Sequence, residues 1–340
     1  MKAVVVVVLL LTLAGVIHVS AQENYRVVFY NVENLFDTSN DALTQDDEFT
    51  PRGKMHWTKD RYVKKLRSLA QVVDSVGGGT WPLMVGVAEV ENRRVLNDLT
   101  RKTCLARGKY GIVHQDSPDG RGIDVALLYR KECMKVLSEE FLRVTSPGNA
   151  AIKTRDVLYA KGVVGGRDTL HVFVCHFPSM RGGEKQSEWK RERAAAVVRA
   201  KVDSLFYVNS DAAIIIMGDL NGKANTPAHK ILCPLAGSRD YRSGELYNPG
   251  YYLLNASYGS YRSRGKWQTI DHIIVSGSLL NGQSALRATP KTEVYSASFL
   301  LEADEKYFGY KPFPTYRGPR YVGGFSDHLP IYIEMVKQSF

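Results

Sequence analysis

The segment that most constrains the fold is an unbroken apolar run that ends in polar residues, at positions 212–221. Residues 213–217 read Ala-Ile-Ile-Ile-Met, and Gly-Asp-Leu-Asn follows at 218–221. A short β-branched run bounded by turn-forming residues predicts a strand that is buried on both faces. Side chains two residues apart in an extended chain point the same way, so Asp219 and Asn221 are predicted to face one side. A turn capped by Asp219 would explain the same residues without any chemistry.

Polar side chains stand at or beside the ends of other predicted strands as well. The complete set is Asn31, Glu33, Glu89, His176, Asp219, Asn221, Asp271, Asp327 and His328. Each residue alone has an ordinary explanation, such as a solvated carboxylate, a buried histidine or a turn cap. Their recurrence at six strand ends favours one shared site. The chain has no Gly-x-Ser-x-Gly motif and no cysteine with a plausible catalytic partner.

These residue types point to metal-assisted chemistry on a phosphate. Several carboxylates and a carboxamide are suitable ligands for a hard divalent cation, and they favour Mg²⁺ over Zn²⁺. Two histidines with aspartates suit proton transfer and orientation. Together they fit phosphoryl chemistry, in which negative charge grows on phosphate oxygens in the transition state.

Predicted helices and strands alternate in the first half of the chain. Thr58 is predicted to cap a helix that ends at the glycines of 77–79, and further helices are predicted at 92–105 and 187–205. A hairpin is predicted from strands at 157–164 and 170–175. This mixture predicts an α/β fold with mixed sheets.

The first 21 residues have the charged, apolar and small-residue layout of a secretory signal. We therefore expect a cleaved leader at 1–21, one domain at 22–340, and a secreted or periplasmic protein with no membrane span after cleavage. A single uncleaved anchor is the alternative. The formal net charge of +10 favours polyanionic partners, although ordinary solubility would explain it nearly as well. We expect a monomer.

The four cysteines include no Cys-x-x-Cys pair, which argues against a structural zinc site. Cys175 lies within an apolar predicted strand and is expected to be a buried thiol. Cys104 and Cys133 could form a disulfide in an oxidising compartment, but the sequence does not determine whether they do.

Six motifs occur in a fixed order between residues 29 and 330: Asn-Val-Glu at 31–33, Ala-Glu at 88–89, His176, Gly-Asp-Leu-Asn at 218–221, Ile-Asp-His at 270–272 and Ser-Asp-His at 326–328. In this order they resemble the endonuclease/exonuclease/phosphatase superfamily, the DNase I-like metal-dependent phosphoesterases, and most of all its secreted bacterial members. The resemblance implies a four-layer α/β sandwich, in which two packed mixed β-sheets are flanked by helices. It also implies a site at one end of the sheets, where a metal-assisted water hydrolyses a phosphate ester.

The resemblance also implies roles for single residues. Glu89 would be the principal Mg²⁺ ligand, helped by Glu33, Asn31 or Asp327, with Mn²⁺ or Ca²⁺ as other possible ions. Asp219 would orient and deprotonate the water, and Asn221 and His176 would hydrogen-bond the phosphate oxygens. His328, held by Asp271, would complete this clamp or protonate the leaving oxygen. Asp124 is expected to orient His176. Glu33 departs from the family pattern, since many members carry aspartate there.

The substrate is not fixed by these motifs, but two stretches rich in basic and aromatic residues bear on it. They lie at 239–267 and 306–321, and include the substrate-binding candidates Arg262, Arg264, Lys266 and Trp267. Guanidinium and aromatic groups together favour a surface that binds a nucleic-acid backbone and stacks bases. Packing of tyrosine-rich loops is the alternative. We therefore predict a nuclease of low sequence specificity, with a hydrolase of small phosphate esters as the second possibility and a non-catalytic binding protein as the third.

Overall fold

The computed structural model describes residues 23–148, 150 and 152–337. The predicted leader lies outside these residues. Among the helices of the described part, none combines the length and the apolar character that a membrane crossing requires.

The described residues form helices and strands that are numbered in chain order. The helices are α1 (Lys59–Val76), α2 (Arg93–Arg101), α3 (Glu184–Val208) and α4 (Pro227–Leu232). The strands are β1 (Glu23–Leu35), β2 (Met84–Val90), β3 (Tyr110–Val113), β4 (Asp124–Arg130), β5 (Met134–Leu142), β6 (Val157–Val164), β7 (Asp168–His176), β8 (Ala213–Asp219), β9 (Leu246–Tyr247), β10 (Tyr261–Ser263), β11 (Lys266–Gln268), β12 (Asp271–Ser276), β13 (Leu286–Ala288), β14 (Glu293–Val294), β15 (Leu301–Ala303), β16 (Tyr310–Pro312), β17 (Tyr316–Arg317), β18 (Arg320–Tyr321) and β19 (Ile331–Lys337).

The long strands form two mixed sheets. The first has the order β13-β19-β1-β2-β4-β3, with β14 also paired to β19, and the second has the order β5-β6-β7-β8-β12-β9. Each sheet contains one parallel pair near its middle, β1 with β2 and β7 with β8. The strand β19 therefore lies inside the first sheet, between β13 and β1, although it comes last in the described chain.

Three apolar clusters hold the layers together. The inner faces of the two sheets bury Phe29 against side chains such as Met217 and Ile273. The helices α1 and α2 cover the outer face of the first sheet, and α3 and α4 cover the outer face of the second, where Val198 packs with Ile216. Each such buried side chain contributes about 1.5–3 kcal/mol relative to exposure. The four-layer α/β sandwich predicted from the sequence is confirmed.

Element boundaries follow the sequence signals closely in most places. The Thr58 hydroxyl accepts a hydrogen bond from the Arg61 N–H at 3.4 Å and caps α1, which ends before Gly77. The helix predicted at 92–105 ends at Arg101, because a 3₁₀ turn at Cys104–Gly108 replaces its last part. The edge strand β5 was not predicted, because its many exposed and charged residues obscure the alternation of apolar and polar side chains that indicates a strand.

The sheets bring several strand ends to one edge. In the parallel pair β7–β8, His176 lies opposite Asp219, and the antiparallel strand β12 begins with Asp271 opposite the same aspartate.

The four cysteines form no disulfide with one another. Burial raises the pKa of the Cys175 thiol, as expected for an inert core residue.

Candidate active site

Glu33 and Glu89, which are predicted to bind the metal, lie where the strands β1 and β2 become irregular. Pairing between these strands shifts register between Asn31 and Leu35, and β2 has a second irregularity around Glu89. Glu33 has φ of 53° and Glu89 has φ of 64°, in the left-handed region that residues other than glycine seldom adopt. Irregularities of this kind redirect side chains at the ends of strands. Both glutamates predicted to hold the metal thus have a strained backbone, as residues at functional sites often do.

Asp219 lies at the centre of the site. Its Oδ2 accepts a hydrogen bond from Asn31 Nδ2 at 3.1 Å, and its Oδ1 accepts one from the Asn221 N–H at 2.9 Å. The Nε2 atoms of His176 and His328 lie 3.7 and 3.9 Å from Oδ2. Burial, assisted by the nearby charge of Asp271, raises the pKa of Asp219 to about 7. This carboxylate can therefore accept a proton near neutral pH.

His328 is held by Asp271, as predicted. Its Nδ1 lies 2.8 Å from Asp271 Oδ2, and both residues are buried. Burial alone would lower the pKa of His328, but the charge and hydrogen bond of Asp271 raise it well above the usual value. The backbone N–H of His328 also donates to Ser326 Oγ, whose own hydroxyl donates to the Asn31 carbonyl at 2.7 Å. The imidazolium thus presents its Nε2–H to the cleft.

Among the described residues, no carboxylate is hydrogen-bonded to His176 as Asp271 is to His328. Burial, with the charges of Arg155 and Arg121, lowers the pKa of His176 and keeps the ring neutral. Its Nδ1 has no hydrogen-bond partner among the residues that the structure describes. The predicted orienting contact with Asp124 is not formed. Asp124 instead accepts a hydrogen bond from the Ser117 N–H at 2.8 Å, because the start of β4 turns this carboxylate toward the preceding loop.

The carboxylates of Glu33, Glu89 and Asp327 are the oxygen donors that would be offered to a cation. Glu33 accepts a hydrogen bond from the Thr315 N–H at 2.7 Å, and burial raises its pKa to about 7. Burial also raises the pKa of Asp327, and the charge of Glu89 contributes to that rise. Buried oxygen donors that repel one another fit a hard divalent cation.

We find that Asn31 uses its side chain within the protein. Its amide donates to Asp219, and its carbonyl oxygen accepts a hydrogen bond from the Glu33 N–H at 3.0 Å. Asn31 thus orients the site, and Glu89, Glu33 and Asp327 would hold the ion. Such an ion supplies positive charge for the phosphate oxygens and lowers the pKa of water.

The site opens into a cleft of about 490 Å³. The predicted residues that line it are Glu89, His176, Asp219, Asn221, Asp327 and His328. Three arginines in the wall of the cleft were not predicted from the sequence: Arg121, Arg155 and Arg181. The buried Arg155 donates to the carbonyls of His176 and Phe177 and pairs with Asp119 at 2.9 Å. No motif marks these arginines, and their nearness to strand ends is the one sequence signal that could have found them.

A buried lysine behind the carboxylates was also missed. Lys65 of α1 donates to Thr315 Oγ1 at 2.5 Å and to the Phe325 carbonyl at 2.6 Å. Burial lowers the pKa of Lys65 to about 8, while the charge of Glu33 opposes that shift. The sequence signal for this buried lysine was its position beside Leu66 on the apolar stripe of a helix, since lysine is rarely buried without a partner.

The predicted basic rim is partly engaged in internal contacts. Arg262 lies 3.3 Å from Asp304 and donates to the carbonyls of Tyr310 and Phe308, so its guanidinium fastens two loops together. Arg264 and Lys266 are exposed, and Trp267 is half-buried. In the second basic stretch, Arg317 and Lys311 both pair with Glu302.

Comparisons with known proteins agree with this arrangement. The model of the endonuclease/exonuclease/phosphatase family matches residues 26–337. An endonuclease/exonuclease/phosphatase family protein from Bacteroides thetaiotaomicron is similar in structure, with a TM-score of 0.60 and 17% identity over 94% of this chain and 100% of its own. A mannosyl-6-phosphatase from the same species, strain VPI-5482, has a TM-score of 0.58 and 18% identity over 92% of this chain and 99% of its own.

A truncated TDP2 from Caenorhabditis elegans is similar too, with a TM-score of 0.54 and 16% identity over 93% of this chain and 98% of its own. The search of curated protein sequences found no match. The family match spans nearly all the described residues, and the fold of the three structures agrees with it. This chain therefore belongs to the endonuclease/exonuclease/phosphatase family, whose members hydrolyse phosphate esters.

Proposed function

We propose that this enzyme hydrolyses small phosphate esters, phosphomonoesters foremost, with the help of a divalent cation for which Mg²⁺ is our choice. The observation that carries the proposal is the distribution of positive charge. Three guanidinium groups, of Arg121, Arg155 and Arg181, lie in the wall of the cleft, and among the described residues only the carboxylate of Asp119 pairs with any of them, at 2.9 Å from Arg155 and 3.8 Å from Arg121. Arg262, outside the cleft, is paired with Asp304. A phosphomonoester concentrates its charge on one group, and a confined cleft with nearby guanidinium groups suits it.

The chain's own residues supply the proton transfers. Asp219 takes a proton from the attacking water, whose oxygen forms the new bond to phosphorus as the bond to the ester oxygen breaks. His328 donates its Nε2 proton to the departing oxygen, and Asp271 keeps the ring protonated until then. Asn221 and the neutral His176 line the cleft where they can hydrogen-bond the phosphate oxygens.

A nuclease remains the second candidate, because specific observations favour it. The formal net charge is +10, and Arg264 and Lys266 project into solvent from the loop that connects β10 to β11 and from β11 itself. A polynucleotide could use these exposed cations. A small substrate has no need of them.

A substrate panel distinguishes the two activities. The purified protein with Mg²⁺ would be offered p-nitrophenyl phosphate, sugar phosphates, bis-p-nitrophenyl phosphate, plasmid DNA and RNA, with His328→Ala as the inactive control. Sugar phosphates belong in the panel because one similar structure is named a mannosyl-6-phosphatase. We expect kcat/KM for monoesters to exceed that for the diester by at least about tenfold and to fall only mildly with salt. Plasmid cleavage by the wild type, steeply weakened by salt and absent in the control, would establish the nuclease instead.

We also propose that residues 1–21 direct export and that the domain at 22–340 acts outside the cytoplasm. The support is the leader-like composition of the first 21 residues. Expressed from its full sequence in a bacterium, the protein should appear in the periplasm or medium with Gln22 as its first residue. A cytoplasmic protein that begins at Met1 would refute this.

A further inference from the structure

The loop between β3 and β4 gathers three potential ligands on the side of the molecule next to the cleft. His114 follows the last residue of β3, and Asp124 is the first residue of β4. The Nε2 atom of His114 lies 3.4 Å from Asp124 Oδ2 and 3.8 Å from Asp116 Oδ1. One ligand atom from each residue falls within 4.8 Å of the other two. We propose that these three residues form a second cation site, separate from the catalytic centre, for a zinc-like divalent transition-metal ion.

The strongest support is the state of the histidine. The side chain of His114 is 2% exposed, yet its Nε2 makes no well-formed hydrogen bond to any described residue and has only the long contact with Asp124 Oδ2, at 3.4 Å. A buried polar atom without a partner costs about 1–3 kcal/mol, so such an atom calls for an explanation. A metal ion placed between Nε2 and the two carboxylates would satisfy it.

The two carboxylates complement the histidine. Asp124 is 3% exposed, and its Oδ1 accepts hydrogen bonds from Ser117 while its Oδ2 faces His114. Asp116 is 78% exposed and can close over an ion that enters from solvent. The site therefore combines two fixed ligands with one adjustable ligand.

The spacing selects the class of ion. Metal–ligand bonds of about 2.0–2.2 Å in tetrahedral geometry place ligand atoms roughly 3.4 Å apart. The separations from His114 Nε2, 3.4 and 3.8 Å, are close to this value. An imidazole nitrogen among the ligands favours Zn²⁺, Co²⁺ or Ni²⁺ over Mg²⁺ or Ca²⁺. Water would complete the coordination.

An ion at this position would fasten the wall of the cleft. The same loop carries Arg121, which lines the cleft, and Asp119, which pairs with Arg155 at 2.9 Å. Arg155 in turn donates to the His176 carbonyl at 3.2 Å. Binding of Zn²⁺ would thus join the two ends of the loop and restrict the motion of the residues that face the substrate. The simpler alternative is a histidine–carboxylate pair that holds no metal.

Calorimetric titration of the whole protein with Zn²⁺, in excess Mg²⁺ to occupy the catalytic centre, tests the proposal. We expect one equivalent of Zn²⁺ to bind the wild type and the control variant Glu89→Gln. We expect at least a tenfold loss of affinity in His114→Ala and Asp116→Asn. Asp116 is exposed, so its variant decides the question even if His114→Ala fails to fold.

Anomalous diffraction from Zn²⁺-soaked crystals gives a second readout that does not depend on activity. We expect a peak between His114, Asp116 and Asp124. Unchanged Zn²⁺ affinity in Asp116→Asn, together with peaks confined to the region of Glu89, would overturn the proposal. Since binding is measured directly, that failure leaves the phosphoesterase function untouched.

Discussion

Replacement of Asp271 by asparagine should reveal how much of the catalysis depends on its contact with His328. The change keeps the size of the side chain and removes the charge from a buried pair joined at 2.8 Å. Without that charge, burial lowers the pKa of the imidazole, and the ring no longer holds a proton for the leaving oxygen. The reaction then loses its general acid while the cation and phosphate contacts remain.

General acid catalysis contributes on the order of 10²–10⁴-fold, which corresponds to about 2.7–5.4 kcal/mol in activation free energy. We expect Asp271→Asn and His328→Ala each to lower kcat by an amount in this range. The double variant should be little worse than the more impaired single variant, because the two residues act as one unit.

The assay is steady-state hydrolysis of p-nitrophenyl phosphate and of a monoester with a poorer leaving group. The defect should be larger for the poorer leaving group, since a more basic leaving oxygen depends more strongly on protonation. Circular dichroism should show all three variants folded. Multiplicative effects in the double variant would mean that the two residues act independently. Near-normal turnover in His328→Ala would refute its catalytic role.

Four further changes test other parts of the site. Glu89→Gln should raise the Mg²⁺ concentration needed for half-maximal activity, as followed by Mg²⁺ titration, while leaving circular dichroism unchanged. The wild-type kcat/KM should rise with pH through the pKa of Asp219, with a midpoint no higher than about 7, because the base must be deprotonated and a bound cation favours the carboxylate. Lys65→Met should lower the free energy of unfolding in urea by about 1–3 kcal/mol, because it leaves the buried Thr315 hydroxyl and the Phe325 carbonyl without their donor, whereas the exposed control Lys64→Met should not. Arg121→Met should raise KM about tenfold or more with little change in kcat, since a hydrogen bond to a charged group contributes about 1.5–3 kcal/mol.

The site residues that could be predicted from the sequence share one property. Asp219, Asp271 and His328 adjoin apolar strands, and local sequence alone is sufficient to recognise a buried strand and the polar residue at its end. The sheets then bring these ends together, as the register of Asp271 with Asp219 shows. The α/β fold with mixed sheets could be predicted for the same reason, whereas the four-layer arrangement was implied by the resemblance of the six motifs.

Two of the residues whose surroundings escaped prediction, Lys65 and Arg262, depend on partners far along the chain. Lys65 donates a hydrogen bond to Thr315, which lies 250 positions away, and no local sequence pattern predicts that contact. Arg262 has the sequence surroundings of an exposed substrate-binding cation, yet Asp304 and two carbonyls engage it. Asp124 adjoins a strand as His176 does, but the direction of its side chain depends on the loop before β4. Long-range pairing of charged groups is therefore the part of the site that sequence patterns leave undetermined.

The interior position of β19 has a consequence for the order of events during synthesis. Its neighbour β1 is made long before it, so the first sheet cannot be completed until Ile331–Lys337 has left the ribosome. Asp327 and His328 immediately precede β19 and arrive equally late. Pairings between segments this distant in sequence form slowly. A nascent or truncated chain would thus hold Glu89 and Asp219 without the histidine that finishes the reaction, and hydrolysis would begin only after translation has delivered β19.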